Sequence, residues 1–151
     1  MQGGEFDRFY ADVYGSLAGY AMSLVGDRVV AEDLAQEALV RLYARWGLVR
    51  EARPYVFRTV TNLARDRWRR QQSERRALPD LLADTAPAAD LSVMDAVERL
   101  PAGLRTVVLL HYYADLPVAQ VARAVRRPEG TVKRRLSEAR TLLAASLQGP
   151  A

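Results

Sequence analysis

The stretch PEGTVKRRLSEAR, residues 128–140, places Lys133, Arg134 and Arg135 within the first two turns of the helix that its Pro-Glu-Gly-Thr start predicts. Cations near a helix N-terminus oppose the helix dipole, a cost that a purely packing helix avoids, so an external anion is expected there. The free amide N–H groups of a helix start add to the flanking cations and together suit phosphate. A second concentration, TNLARDRWRR over 61–70, interleaves arginines with Asn62 and Trp68. Cations along such a helix hold a nucleic-acid backbone, and an amide side chain can read a base edge. Catalytic chemistry is harder to assemble. His111, Tyr112 and Tyr113 have no serine, carboxylate or second histidine at motif spacing, so a packing or surface role is expected for them.

The elements that position these residues follow from apolar spacing. Val118, Val121, Ala122 and Val125 form one helical face, a short turn passes through Arg126 to Pro128, and Val132, Leu136, Ala139 and Leu143 form the next face. Two helices with a tight turn and a small residue at their crossing make a helix-turn-helix. Gly130, Arg134 and Ser137 then point away from the core, flanked by Lys133 and Arg135, which makes Arg134 the expected base reader.

Towards the N-terminus, Phe6, Phe9, Val13, Leu17, Ala21 and Leu24 predict a first helix closed by Gly26. Asp27 caps a second, running to about Trp46 with Val30, Leu34, Ala38, Leu42 and Trp46 along one side. A third begins at Pro54 and carries Val56, Val60, Leu63 and Ala64 to about Arg70. The stretch SERRALPDLLADTAPAADL, 73–91, has two prolines and poor periodicity and reads as a flexible linker. Beyond it, Ser92 with Asp95 reads as a helix cap, followed by helices to Leu100, from Pro101 to about Ala114, from Val118 to Val125 and from Glu129 to about Leu147. The fold class is therefore all-α: two small helical domains, 1–72 and 92–148, joined by the 73–91 linker.

Composition narrows the function classes. Of 151 residues half are hydrophobic, enough for packed cores, and the absence of cysteine with a single histidine removes disulfide frames and cysteine/histidine zinc sites. No cofactor or metal is expected, no membrane contact is expected of the chain itself, and a reducing, cytoplasmic setting fits. The net charge of +4 is unevenly spread. Residues 1–40 carry 2 basic and 7 acidic side chains, 41–77 carry 11 and 3, 78–100 carry 1 and 5, and 101–151 carry 8 and 3. Two basic blocks with an acidic stretch between them fit two surfaces for one polyanion, and also fit ordinary solvated clusters.

With these residues in view, LPAGLRTVVLLHYYADLPVAQVARAVRRPEGTVKRRLSEAR resembles region four of bacterial RNA polymerase sigma factors of the extracytoplasmic-function group. AEDLAQEALVRLYARW followed by ARPYVFRTVTNLARDRWRR resembles their region two. The resemblance implies a protein that joins core RNA polymerase, recognises promoter DNA at the minus-35 and minus-10 elements, and helps melt the start site without catalysing a reaction. It implies that Asp33, Gln36 and Glu37 face the polymerase clamp helices. Arg50, Arg53, Asn62, Arg65, Asp66, Arg69 and Arg70 match the minus-10 positions, with the loop of Arg50, Glu51 and Arg53 receiving a nucleotide turned out of the stack. Arg126, Arg127, Glu129, Gly130, Thr131, Lys133, Arg134, Arg135 and Ser137 match the minus-35 positions. An anti-sigma protein is implied as a further partner, and the linker acids Asp80, Asp84 and Asp90 fit either a strand in polymerase channels or a solubilising linker.

The chain departs from the family pattern at the helix-turn-helix turn. Arg126 stands where a glycine is usual, so that position has either an ordinary backbone conformation or some strain. Arg127 replaces a residue that is commonly apolar, and Arg134 a small serine; the added charge raises nonspecific affinity and salt dependence. Trp46 continues an apolar row and is expected in the core, while Trp68 suits either packing or a place beside DNA. Two other readings stand beside it: a stand-alone helix-turn-helix regulator, which leaves AEDLAQEALVRLYARW unused, and an inhibitory adaptor that occupies polymerase or a sigma-binding regulator without opening DNA.

Overall fold

A computed structural model describes residues 2–74 and 93–148, and every described element is helical. Helix α1, Gln2–Val25, starts four residues before the expected Phe6 and ends at Gly26. With φ at 73°, Gly26 adopts the left-handed conformation and donates its N–H to the Met22 carbonyl at 2.8 Å. Asp27 caps α2, Arg28–Ala44, its Oδ1 accepting from the Val30 N–H at 3.2 Å.

The buried side of α2 is Ala31, Ala35, Ala38, Leu39 and Leu42, rotated from the expected row, with Val30 and Leu34 only half-buried. The reason is geometric: a four-residue step turns past a full circle, so a five-member row drifts about 160° around the helix and cannot stay on one face. Three alanines on the buried side let α2 lie close to α1. Trp46, just past the helix, packs edge-on against Phe6 with ring centroids 5.4 Å apart, as core packing requires.

Helix α3, Ala52–Glu74, buries Val56, Phe57 and Val60, while Leu63 and Ala64 stay half-buried. Between α1 and α3, Tyr20 is fully enclosed. Thr61 donates to the Phe57 carbonyl at 2.7 Å, which leaves the Tyr20 hydroxyl to donate to Thr61 Oγ1, also at 2.7 Å. Burial pushes the Tyr20 phenol well above its ordinary range, because ionisation there would strand a charge in the core.

The C-terminal helices are α4, Val93–Glu98; α5, Ala102–Val108; α6, Val118–Val125; and α7, Glu129–Gln148. The single helix expected to run to Ala114 changes pitch after Val108 into a π-helical turn, Leu109–Tyr113, and the Ala114 N–H reaches back to the Leu109 carbonyl at 2.8 Å. Asp115, at φ 61°, then turns the chain towards α6. The linker acids Asp80, Asp84 and Asp90 and the cap Ser92 lie outside the described residues.

The two halves share one continuous apolar core, from Phe6 to Ala139, and α3 lies against α6. Tyr113 of the π turn reaches α1 at Gly19, where an added Cβ would come within 2.6 Å of the tyrosine hydroxyl. Among the described residues no helix is long and apolar enough to cross a membrane.

Candidate nucleic-acid and polymerase interfaces

The helix-turn-helix forms as its apolar pattern predicts. Val121, Ala122 and Val125 of α6 are buried, as are Val132, Leu136 and Ala139 of α7, with Leu143 half-buried. The turn closes on Arg126, which adopts the left-handed conformation at φ 58° and ψ 47° and donates its N–H to the Ala122 carbonyl. A residue with a Cβ carries about 1–2 kcal/mol of strain in that conformation, which accounts for the glycine usual there. Arg127 adds a second bond from its N–H to the same carbonyl at 3.1 Å.

The start of α7 is open. Glu129, Gly130, Lys133, Arg134 and Ser137 are exposed, and Thr131 is half-buried. An added Cβ on Gly130 would meet empty space, so packing does not require the glycine; its lack of a side chain leaves room for a close external approach. Arg135 behaves differently from its neighbours. Half-buried, it turns back towards α5, its Nη1 about 3.6 Å from where a Gly103 Cβ would stand.

Two arginines of α3, Arg53 and Arg65, are engaged inside the molecule. Arg53 donates from Nε to the Ala114 carbonyl at 2.6 Å and lies 5.3 Å from the Phe57 ring centre. Arg65 donates to Asn62 Oδ1 at 3.0 Å and reaches the Ala124 carbonyl at 3.4 Å. Ala114 caps the π turn and Ala124 sits in the last turn of α6, so both carbonyls belong to helix ends, where they lack helical partners and carry partial negative charge. Two cations of one half thus satisfy two helix termini of the other. Gln120 of α6 adds a bond to Glu51 Oε2 at 2.9 Å. Burial, then the nearby Arg126 and Arg69, pull the Arg65 pKa down from its ordinary value.

Arg50, Asp66, Arg69 and Arg70 remain exposed, and so does Trp68, at 60%. The expected minus-10 residues therefore divide into an exposed group and a half-buried group, Arg53, Asn62 and Arg65, of which Arg53 and Arg65 bond to the C-terminal half. His111 hydrogen-bonds through Nδ1 to the Leu116 carbonyl at 2.8 Å and stacks edge-on with Tyr112, a structural placement.

On α2, Asp33 and Gln36 are exposed, and Glu37 pairs with Arg41 at 2.9 Å. The same outward stripe carries Val29, Val40 and Tyr43, exposed at 68%, 63% and 61%. At 100° per residue, positions 29, 33, 36, 40 and 43 fall within about 80° of arc. These three apolar residues escape a reading that looks only for polar partner contacts. Their signal was present nonetheless: apolar side chains out of phase with the buried row.

Comparison with known proteins accounts for both halves. The description Sigma-70 region 2 matches residues 9–74, and Sigma-70, region 4 matches residues 90–143. An RNA polymerase sigma-E factor of Streptomyces avermitilis is 33% identical over 95% of this chain and 86% of its own length. The ECF RNA polymerase sigma factor SigL of Mycobacterium tuberculosis is 31% identical over 85% of this chain and 81% of its own. In fold, the chain is similar to the sigma factor RpoE solved in complex with the anti-sigma factor NepR from Bartonella quintana, with a TM-score of 0.75 at 22% identity, covering 97% of this chain and 99% of the other. A region 2 match followed by a region 4 match, together with relatives more than 30% identical over most of both chains, places both halves in one family: the chain belongs to the extracytoplasmic-function group of RNA polymerase sigma factors.

Proposed function

We propose that residues 1–72 dock on core RNA polymerase through Asp33, Gln36 and Glu37 together with Val29, Val40 and Tyr43, and that α3 with the preceding loop engages the minus-10 element. Residues 92–148 engage the minus-35 element, with the start of α7 in the major groove and Arg134 at a base edge. The protein binds and directs; bond formation stays with polymerase, in the cytoplasm. Melting is assisted by contacts that replace the stacking a displaced base loses, a cost of a few kcal/mol. The observation that carries the reading is the pairing, in one chain, of an exposed helix-turn-helix with a separate partner-facing stripe on α2. A stand-alone regulator would leave that stripe without a use.

Promoter engagement requires the two halves to separate. By their names the two elements lie roughly 25 base pairs apart, about 85 Å of duplex. The packed form holds α3 against α6. The Ala114 and Ala124 carbonyls occupy Arg53 and Arg65 as phosphates would, so the packed form is the one unable to hold promoter DNA. An anti-sigma protein is the proposed partner of that form; the solved sigma factor RpoE is in complex with one, NepR.

In vitro transcription with purified core enzyme and genomic fragments tests the function: initiation at a restricted promoter set is expected, and no initiation at any site rejects it. Asp33→Lys with Gln36→Ala is expected to abolish copurification with core polymerase while leaving the helical content unchanged. Undiminished copurification would move the docking surface elsewhere.

A further inference from the structure

Between the two halves lies a cavity of about 510 Å3 into which five guanidinium-bearing residues from three elements are brought: Arg65 and Arg69 of α3, Arg126 and Arg127 of the turn, and Arg135 of α7. Among the described residues, no aspartate or glutamate lines it. Like charges converging in a partly desolvated space repel one another and oppose the packing that brings them together. Burial first, and then the charges of Arg126 and Arg69, lower the pKa of Arg65. Trp68 forms part of the same wall, and Leu24 and Val125 supply apolar surface beside it. The volume falls within the range of about 300–1,000 Å3 typical of small-ligand sites, far below what a duplex requires.

We propose that this cleft binds a small oligophosphate, with the phosphate chain held by arginines from both halves and a nucleobase, where the ligand carries one, stacked on Trp68. Guanidinium forks match phosphate oxygens in charge and geometry, and an exposed indole face accepts any base. Because the ligand bridges α3 to the turn and to α7, it stabilises the packed form over the open one by mass action. That regulatory consequence rests on the sigma-factor reading above; the binding itself does not.

The test is calorimetric titration of the full chain, at fixed ionic strength, with inorganic tripolyphosphate and with ATP. One molecule per chain is expected, with ATP bound more tightly. Arg65→Gln on α3 and Arg127→Gln in the turn are each expected to weaken tripolyphosphate binding by about tenfold. Arg67→Gln, on the same helix but outside the cleft, is expected to leave it unchanged. Trp68→Ala is expected to remove only the advantage of ATP. If Arg65→Gln perturbs the circular-dichroism melt, Arg69→Gln replaces it. A chain bridged between E51C and Q120C, fixed in the packed form, is expected to bind at least as tightly as wild type. Absence of saturable binding, equal losses from Arg67→Gln and Arg65→Gln, or loss of binding in the bridged chain would each overturn the proposal. None of these outcomes bears on whether the chain initiates transcription, which the polymerase assay reads without added ligand.

Discussion

Arg134 at the start of α7 is exposed and makes no hydrogen bond among the described residues, whereas Arg53 and Arg65 on α3 donate to carbonyls contributed by the other half of the chain. The same side chain, on two helices expected to meet the same polymer, is thus in two different states. The difference is a matter of cost. DNA reaching α7 replaces only hydration, while DNA reaching α3 must first displace charge-assisted hydrogen bonds to helix-end carbonyls. Recognition by α7 can therefore precede release of α3, and the two surfaces are expected to respond differently to anything that shifts the packing equilibrium.

The strongest way to break this comparison is to prevent release. The chain has no cysteine, so Glu51→Cys with Gln120→Cys, joined by a bis-maleimide across the contact between the loop and α6, gives a single defined bridge. Promoter-dependent transcription is expected to disappear in the bridged protein and to persist in the unbridged double variant. Equal activity of the two would show that the packed contacts do not cover a needed surface.

The exposed side of the comparison is sharpened by Arg134→Ala, expected to change minus-35 preference at one base position by roughly 1–3 kcal/mol. Selection from a randomised promoter library, wild type against variant, reads it, and identical preferences would remove Arg134 as a reader. In the turn between α6 and α7, Arg126→Gly is expected to raise stability by about 1 kcal/mol through relief of left-handed strain, seen as a higher melting temperature. A lower melting temperature would mean that the Arg126 side chain contributes more than its backbone costs.

The smallest effect concerns the scaffold under α3. Tyr20 is protonated in the fold and its pKa lies above that of the unfolded chain, so its contribution is fully present below about pH 10 and is lost as pH rises further. Tyr20→Phe is expected to cost about 1 kcal/mol at neutral pH, where the bond to Thr61 is lost, and to flatten the alkaline fall in stability. Urea melts at pH 7 and above pH 10 check both; a difference between the two proteins that does not change with pH would reject this role.

Much of this protein was legible in its sequence. Helix α6, Val118–Val125, ends where its apolar spacing ends, Asp27 and Gly26 punctuate the chain as cap and stop, and the open start of α7 follows from PEGTVKRR. These are local effects: dihedral preference, capping and periodicity act over a few residues and need no knowledge of distant chain. The side of α2 that is buried, the π turn at Leu109–Tyr113 and the left-handed Arg126 were less legible, because each is a compromise with packing. What only the tertiary structure decided is the meeting of the halves. Arg53 and Ala114 are 61 residues apart, Arg65 and Ala124 are 59, and the periodicity of either helix is blind to the other. Sequence supplied the cations and the helix ends; burial of one shared apolar core brought them together, and with them five arginines around a single cleft.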